Sequence, residues 1–315
     1  MTKSEYLFWL IDVSAYPLQN YTSYKSVKRK TGIIYDEENP KNCKMELYYR
    51  PELIGNDKPK LPVIVNFHGG GFVKGDMSYR KSVCARFADK GYFVVNANYR
   101  LSPGYAFPCA IIDCVNSVNY LKTLAESYNI DLDKVCVTGD SAGAHFATQV
   151  VSVANSEEQR TAIGAPEMVV RPSALVSFCG PYDLIESITL VKLPFGLLWD
   201  IGKCYLNNED FQLKEDFSNV DEYPYKKYIS PTNFVNKDWC PSFLVIAEQD
   251  IFCKGQGELL SKKMEECGVI HEDYITHDFV DNHCFHLNFW AKQSKLCFEK
   301  VFEFLDKVFA EKPQN

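Results

Sequence analysis

At 315 residues and 46% apolar composition, the chain can bury a sizeable core, which excludes a disordered protein. Its formal charge of −7 argues against nucleic acid or an anionic membrane as the main partner. Lys28-Arg29-Lys30 is the one compact basic cluster and reads as a solvated strand end.

Residues 1 to about 22 read as an aromatic helix ending near Pro17. Tyr24 to Ile34 and Lys44 to Tyr49 alternate in hydrophobicity and suit an antiparallel pair. Val63 to Phe67 then reads as a buried strand, Tyr79 to Lys90 as a helix stopped at Gly91, and Phe93 to Ala97 as a strand. Pro108 to Ser127 suits one long helix. Val135-Cys136-Val137 is a short buried strand, and Ala142 to Ala154 a helix. Ala174 to Phe178, Ser242 to Ile246 and His271 to Thr276 are further strands. Gly255 to Cys267 and Ala291 to Phe309 are further helices. Repeated strand–helix alternation implies an α/β fold, with a mostly parallel central sheet covered by helices on both faces. Pro181 to about Pro241 is too long for an ordinary connection and is rich in aromatics, among them Phe195, Trp199 and Tyr205. It is expected to pack over the site together with the N-terminal helix.

The chain has 12 cysteines, none in a C-x-x-C pair, and several lie inside apolar runs. With no signal peptide evident, this fits a reducing cytoplasm. No stretch is long enough to span a membrane, so stable membrane insertion is not expected.

Gly139-Asp140-Ser141-Ala142-Gly143 lies where a buried strand meets a helix. A G-x-S-x-G at such a join is the mark of a nucleophile elbow. The turn forces strained dihedrals on the serine and brings backbone so close that only glycine fits at 139 and 143. The pattern arises by chance in about one chain in ten of this length, so it needs support from elsewhere. Support comes from His68-Gly69-Gly70-Gly71, directly after the Val63 strand. Consecutive glycines leave backbone N–H groups open to a ligand oxygen, as an oxyanion hole requires.

These motifs resemble the hormone-sensitive-lipase-like carboxylesterases of the α/β-hydrolase superfamily. The resemblance runs from about residue 60 to the C-terminus. It includes Asn98-Tyr99-Arg100-Leu101-Ser102-Pro103, Phe107-Pro108 with Asp113, Ser230-Pro231, Pro241 to Asp250, and His283-Cys284-Phe285. It implies a single α/β-hydrolase domain over 1–315, with cap elements at about 1–22 and 182–240. It also implies a Ser141–Asp250–His283 triad and an oxyanion hole built by the N–H groups of Gly70, Gly71 and Ala142. His68, Gly69, Gly139, Asp140 and Gly143 are supporting motif residues. Glu248 is the alternative acid and His286 the alternative base. His145 reads as a packing residue, and His271 and His277 show no obvious partner. The family usually has glycine where Cys284 stands. A metal site from His277, His283, Cys284 and His286 matches no common zinc spacing, and no cofactor is expected.

The implied activity is hydrolysis of short-chain acyl esters through an acyl-enzyme. The partner would be a small ester; the oligomeric state stays open, a homodimer included. A non-catalytic receptor on the same scaffold, or a deacetylase or amidase using the same triad, are the rival readings. The presence of His283 weighs against the receptor.

Overall fold

The computed structural model of the chain describes residues 1–190 and 196–310. Eight strands form one sheet in the order β1-β2-β4-β3-β5-β6-β7-β8. They are β1 (Lys28–Ile34), β2 (Lys44–Tyr49), β3 (Leu61–Phe67), β4 (Phe93–Ala97), β5 (Ile130–Asp140), β6 (Ala174–Phe178), β7 (Ser242–Ala247) and β8 (His271–Thr276). β1 pairs antiparallel with β2 and β2 with β4; every later pairing is parallel.

The period-2 pattern of β3 and β5 explains the two layers. Val63, Val65, Phe67, Val135 and Val137 point into one apolar cluster, together with Ile111 and Val115 of α3 (Cys109–Asn119) and Phe146 and Val150 of α5 (Ala142–Asn155). Ile64 and Cys136 point the other way, toward Phe87 of α2 (Lys81–Asp89) and toward Phe298, Val301 and Leu305 of α10 (Lys292–Ala310). The sheet therefore has a core on each face, which is why apolar residues run consecutively through Val63-Ile64-Val65 and Val135-Cys136-Val137.

Some boundaries differ from expectation. The first helix, α1 (Lys3–Gln19), runs two residues past Pro17. The helix expected from Tyr79 begins instead as a 3₁₀ turn, Met77–Arg80, capped by the Asp76 side chain. α2 follows only after Arg80 has left helical geometry (φ −117°, ψ 20°). The long helix from Pro108 is divided at Tyr120 into α3 and α4 (Leu121–Ala125). Hydrogen bonds from Tyr120 N to Asn116 O and from Leu124 N to Tyr120 O still run across that join. α6 (Glu157–Ala162) follows α5.

In the long segment after β6 the described residues form α7 (Leu184–Leu190) and α8 (Leu197–Leu206). Residues 191–195, including Phe195, and the final residues 311–315 of the expected domain lie outside the described residues. α1 is fastened to α8 through Asp200, whose Oδ2 accepts from both Ser4 N (2.7 Å) and Ser4 Oγ (2.6 Å). α9 (Gln256–Glu266) joins β7 to β8.

Register places the site. Phe67 of β3 pairs with Gly139 of β5, so His68 and Ser141 leave adjacent strands at the same height. Asp140 pairs with Phe178, and Ala247 of β7 with Thr276 of β8. The loops carrying residues 68–75, 141, 250 and 283 all leave the carboxyl ends of neighbouring parallel strands, where a ligand crevice is expected.

Candidate active site

The turn from β5 into α5 is as tight as the glycine pattern requires. Ser141 sits at φ 53°, ψ −120°, a strained region for a residue with a side chain. Its N–H donates to Phe178 O (2.9 Å) and its carbonyl accepts from His145 N (3.1 Å), which holds the strain in place. A methyl group on Gly143 would run into the backbone of Phe67 and His68, and one on Gly139 into the backbone of Gly143. These two glycines let the elbow press against the end of β3.

The His68–Gly71 loop lies beside it. Gly70 and Gly71 have φ of +131° and +60°. Neither N–H donates a hydrogen bond among the described residues, and Ala142, as the first residue of α5, has a free N–H by position. His68 supports the loop from beneath. Its Nδ1 donates to Gly69 O (2.8 Å), and its ring stacks on Tyr99 at 4.4 Å. Burial drives its pKa down and keeps the ring neutral.

Asp250 and His283 come together from the ends of β7 and β8. His283 Nδ1–H donates to Asp250 Oδ2 (2.8 Å) and lies 3.0 Å from Oδ1. Asp250 Oδ1 also accepts from Phe252 N and Cys253 N, both at 2.8 Å. Burial opposes the charged carboxylate. His283 and the two N–H groups outweigh it and hold the carboxyl below its usual range. Asn282 ties the two loops together, its Oδ1 accepting from His283 N (2.7 Å) and Ile251 N (3.2 Å).

Ser141 and His283 face one cavity of about 270 Å³. No hydrogen bond joins Ser141 Oγ to the ring among the described residues, a separation usual before substrate tightens such a site. A second, apolar chamber of about 40 Å³ also borders Ser141, lined by Phe8, Gly71, Phe72, Ala142 and Leu198 but not by His283.

The alternative residues stand elsewhere. Glu248 pairs with the exposed His277 at 3.1 Å, so His277 does have a partner. His271 likewise bonds Ser261 Oγ. His286 is buried and stacked on Phe178 at 4.0 Å, outside both chambers. His145 is buried with Nδ1 on Pro181 O (2.7 Å). Cys284 adopts φ +57°, a left-handed conformation that glycine would take at no steric cost. Burial, with Asp140 nearby, pushes its thiol well up, so it is no ready nucleophile. All 12 cysteines are free.

His277, Cys284 and His286 do not gather with His283 into a donor cluster among the described residues. Asp250, Cys253 and His283 do lie together, but the carboxylate already accepts from two N–H groups and the imidazole.

Sequence reasoning left Asp140 without a role beyond the turn. The structure gives it a partner, Arg80. Nε and Nη2 each donate to one carboxylate oxygen at 2.6 Å, and both side chains are buried. The two residues stand 60 apart in the chain, and no spacing or motif signals the pair in the sequence.

The BD-FAE family model matches residues 45–264. The chain is 23% identical over 84% of its length to esterase LipQ of Mycobacterium tuberculosis, of which it spans 59%. It is 28% identical over 74% of its length to an ethyl acetate hydrolase of Pseudomonas putida, spanning 70% of that protein. In structure it resembles esterase B of Lactobacillus rhamnosis, with TM-score 0.80 and 20% identity over 96% of this chain and 93% of that one.

Proposed function

We propose that this chain, which belongs to the BD-FAE family within the hormone-sensitive-lipase-like α/β-hydrolases, is a carboxylesterase that cleaves short-acyl esters. The observation that carries the reading is the Asp250–His283 pair facing the same cavity as the strained Ser141, beside the open N–H groups of Gly70 and Gly71.

His283 takes the Ser141 proton as Oγ attacks the ester carbonyl. Asp250 holds the ring in the tautomer with Nδ1–H and stabilises the imidazolium. The N–H groups of Gly70, Gly71 and Ala142, with the positive end of α5, receive the oxyanion. The imidazolium then protonates the departing alcohol, and water releases the acid by the same steps in reverse roles.

Chamber size supports a short acyl group. The alcohol must leave beside His283, so the acyl chain turns into the apolar chamber that His283 does not line. Its roughly 40 Å³ suits a chain of about three or four heavy atoms, taking about 10–15 Å³ per water-sized group. The similarity to an ethyl acetate hydrolase agrees with this. A receptor would have no use for the Asp250–His283 pair.

The test is a series of p-nitrophenyl esters from acetyl to decanoyl. The kcat/KM should peak at the short end and fall steeply beyond about four carbons. A peak at decanoyl would overturn the short-acyl reading, and no turnover of any ester would overturn the esterase.

A further inference from the structure

The larger chamber contains a charge that the proposed reaction does not use. Five charged or titratable groups reach it: Asp12, Arg80, Asp140, His283 and the Cys284 thiol, whose Sγ lies 3.9 Å from Asp140 Oδ2. Arg80 and Asp140 satisfy each other, and His283 is held by Asp250. Asp12 alone has no hydrogen bond or ion pair among the described residues.

Its placement is not accidental in physical terms. Ser4, Phe8 and Asp12 lie at i, i+4 spacing on α1 and form one inward stripe, which Gln19 continues. Phe8, Asp12 and Gln19 all line the chamber. The helix is pinned at both ends, by Ser4 to Asp200 and by Asn20 Nδ2 to Tyr79 O (3.0 Å). Tyr16 OH also accepts from Lys81 Nζ at 2.8 Å. The helix therefore keeps Asp12 at the cavity wall. Burial pushes its carboxyl up to about 6, Arg80 opposes the rise, and Asp140 and Asp76 add to it. A carboxylate so placed gains from any donor that enters.

The rest of the wall narrows the donor. Phe8 and Phe252, with rings 6.1 Å apart, flank the same space, and a phenyl face attracts a cation. We propose that Asp12 selects the alcohol half of the substrate, favouring esters whose leaving alcohol carries a protonated amine. This rests on the esterase reading, because that reading assigns the chamber beside His283 to the alcohol.

The test compares two esters of nearly equal shape, dimethylaminoethyl acetate (protonated near neutral pH) and isopentyl acetate (neutral). The readout is the ratio of their kcat/KM values in wild type, Asp12→Asn and Asp12→Glu. The ratio should fall about tenfold in Asp12→Asn, the size of one charge-assisted hydrogen bond, and recover in part in Asp12→Glu. A purely structural role would lower both rates together and leave the ratio unchanged, which would overturn the proposal.

Binding of dimethylaminoethanol and isopentanol to Ser141→Ala, with and without Asp12→Asn, separates the two levels. Inert esters with amine binding weakened about tenfold by Asp12→Asn would sink the esterase and keep the cation site. Equal amine binding with and without Asp12 would sink the cation site.

Discussion

Arg80 and Asp140 form a buried two-pronged ion pair directly behind the nucleophile elbow. Asp140 sits between Gly139 and Ser141, and a methyl group on Gly69 would strike its carboxylate and its carbonyl. The pair thus braces the elbow and the glycine loop against each other. Burial opposes the Asp140 charge, and Arg80 outweighs it, holding the carboxyl below its usual range.

Removing one partner strands a buried charge. Arg80→Met should destabilise the fold by about 3–5 kcal/mol and Asp140→Asn by a similar amount. The double variant should cost less than the sum. Denaturant titration of all three measures this; strict additivity would show that the pair does not act as a unit.

Ser141→Ala should lower kcat for acetyl esters by about five to six orders of magnitude, as expected when a nucleophile is lost. The Ala side chain leaves the positive φ in place, so thermal stability should change little. Steady-state assays and labelling by a fluorophosphonate check this together. Labelling that survives in the variant would point to another nucleophile.

Asp250→Asn should keep the loop closed through Phe252 N and Cys253 N, because an amide oxygen still accepts from both. It should nevertheless reduce kcat by about 10⁴-fold, since the imidazole loses the partner that sets its tautomer. Glu248→Gln, at the exposed pair with His277, should reduce kcat less than twofold, since an exposed ion pair contributes only about 0–1 kcal/mol.

Gly70→Ala places a methyl group against the backbone of Lys74 at φ +131°. The loop must shift, and kcat should drop about 10²–10³-fold through the displaced donor. Gly71→Ala meets the Phe8 ring instead. Adding Phe8→Ala should therefore recover part of the lost activity in that variant but none in Gly70→Ala.

Stability should fall as the solution is acidified from about pH 6.5 toward 4. Burial lowers His145 to about 4 and His286 to about 3, so the unfolded chain takes protons there that the folded one refuses. Each costs about 1.4 kcal/mol per pH unit over that window. Asp12, raised to about 6, works in the opposite direction, since the folded state binds its proton first. His286→Gln should flatten the pH dependence of stability, and Asp12→Asn should steepen it. Denaturation midpoints across this range decide both.

The amino-acid order alone determined the strand–helix alternation, the glycine-rich loop and the elbow, because these are local demands on period and backbone room. Ser141, Gly70 and Gly71 were legible for that reason. Asp250 and His283 were legible through the family resemblance; spacing along the chain does not mark them. Only the folded molecule decided that β7 and β8 lie side by side with Ala247 facing Thr276, which brings those two side chains to 2.8 Å. It also decided the partnership of Arg80 with Asp140 across 60 residues, and the turning of Asp12 toward the cavity. Such pairings depend on how whole elements pack. A helix or strand pattern states which face is apolar, but not which distant polar group will meet the few charges left inside.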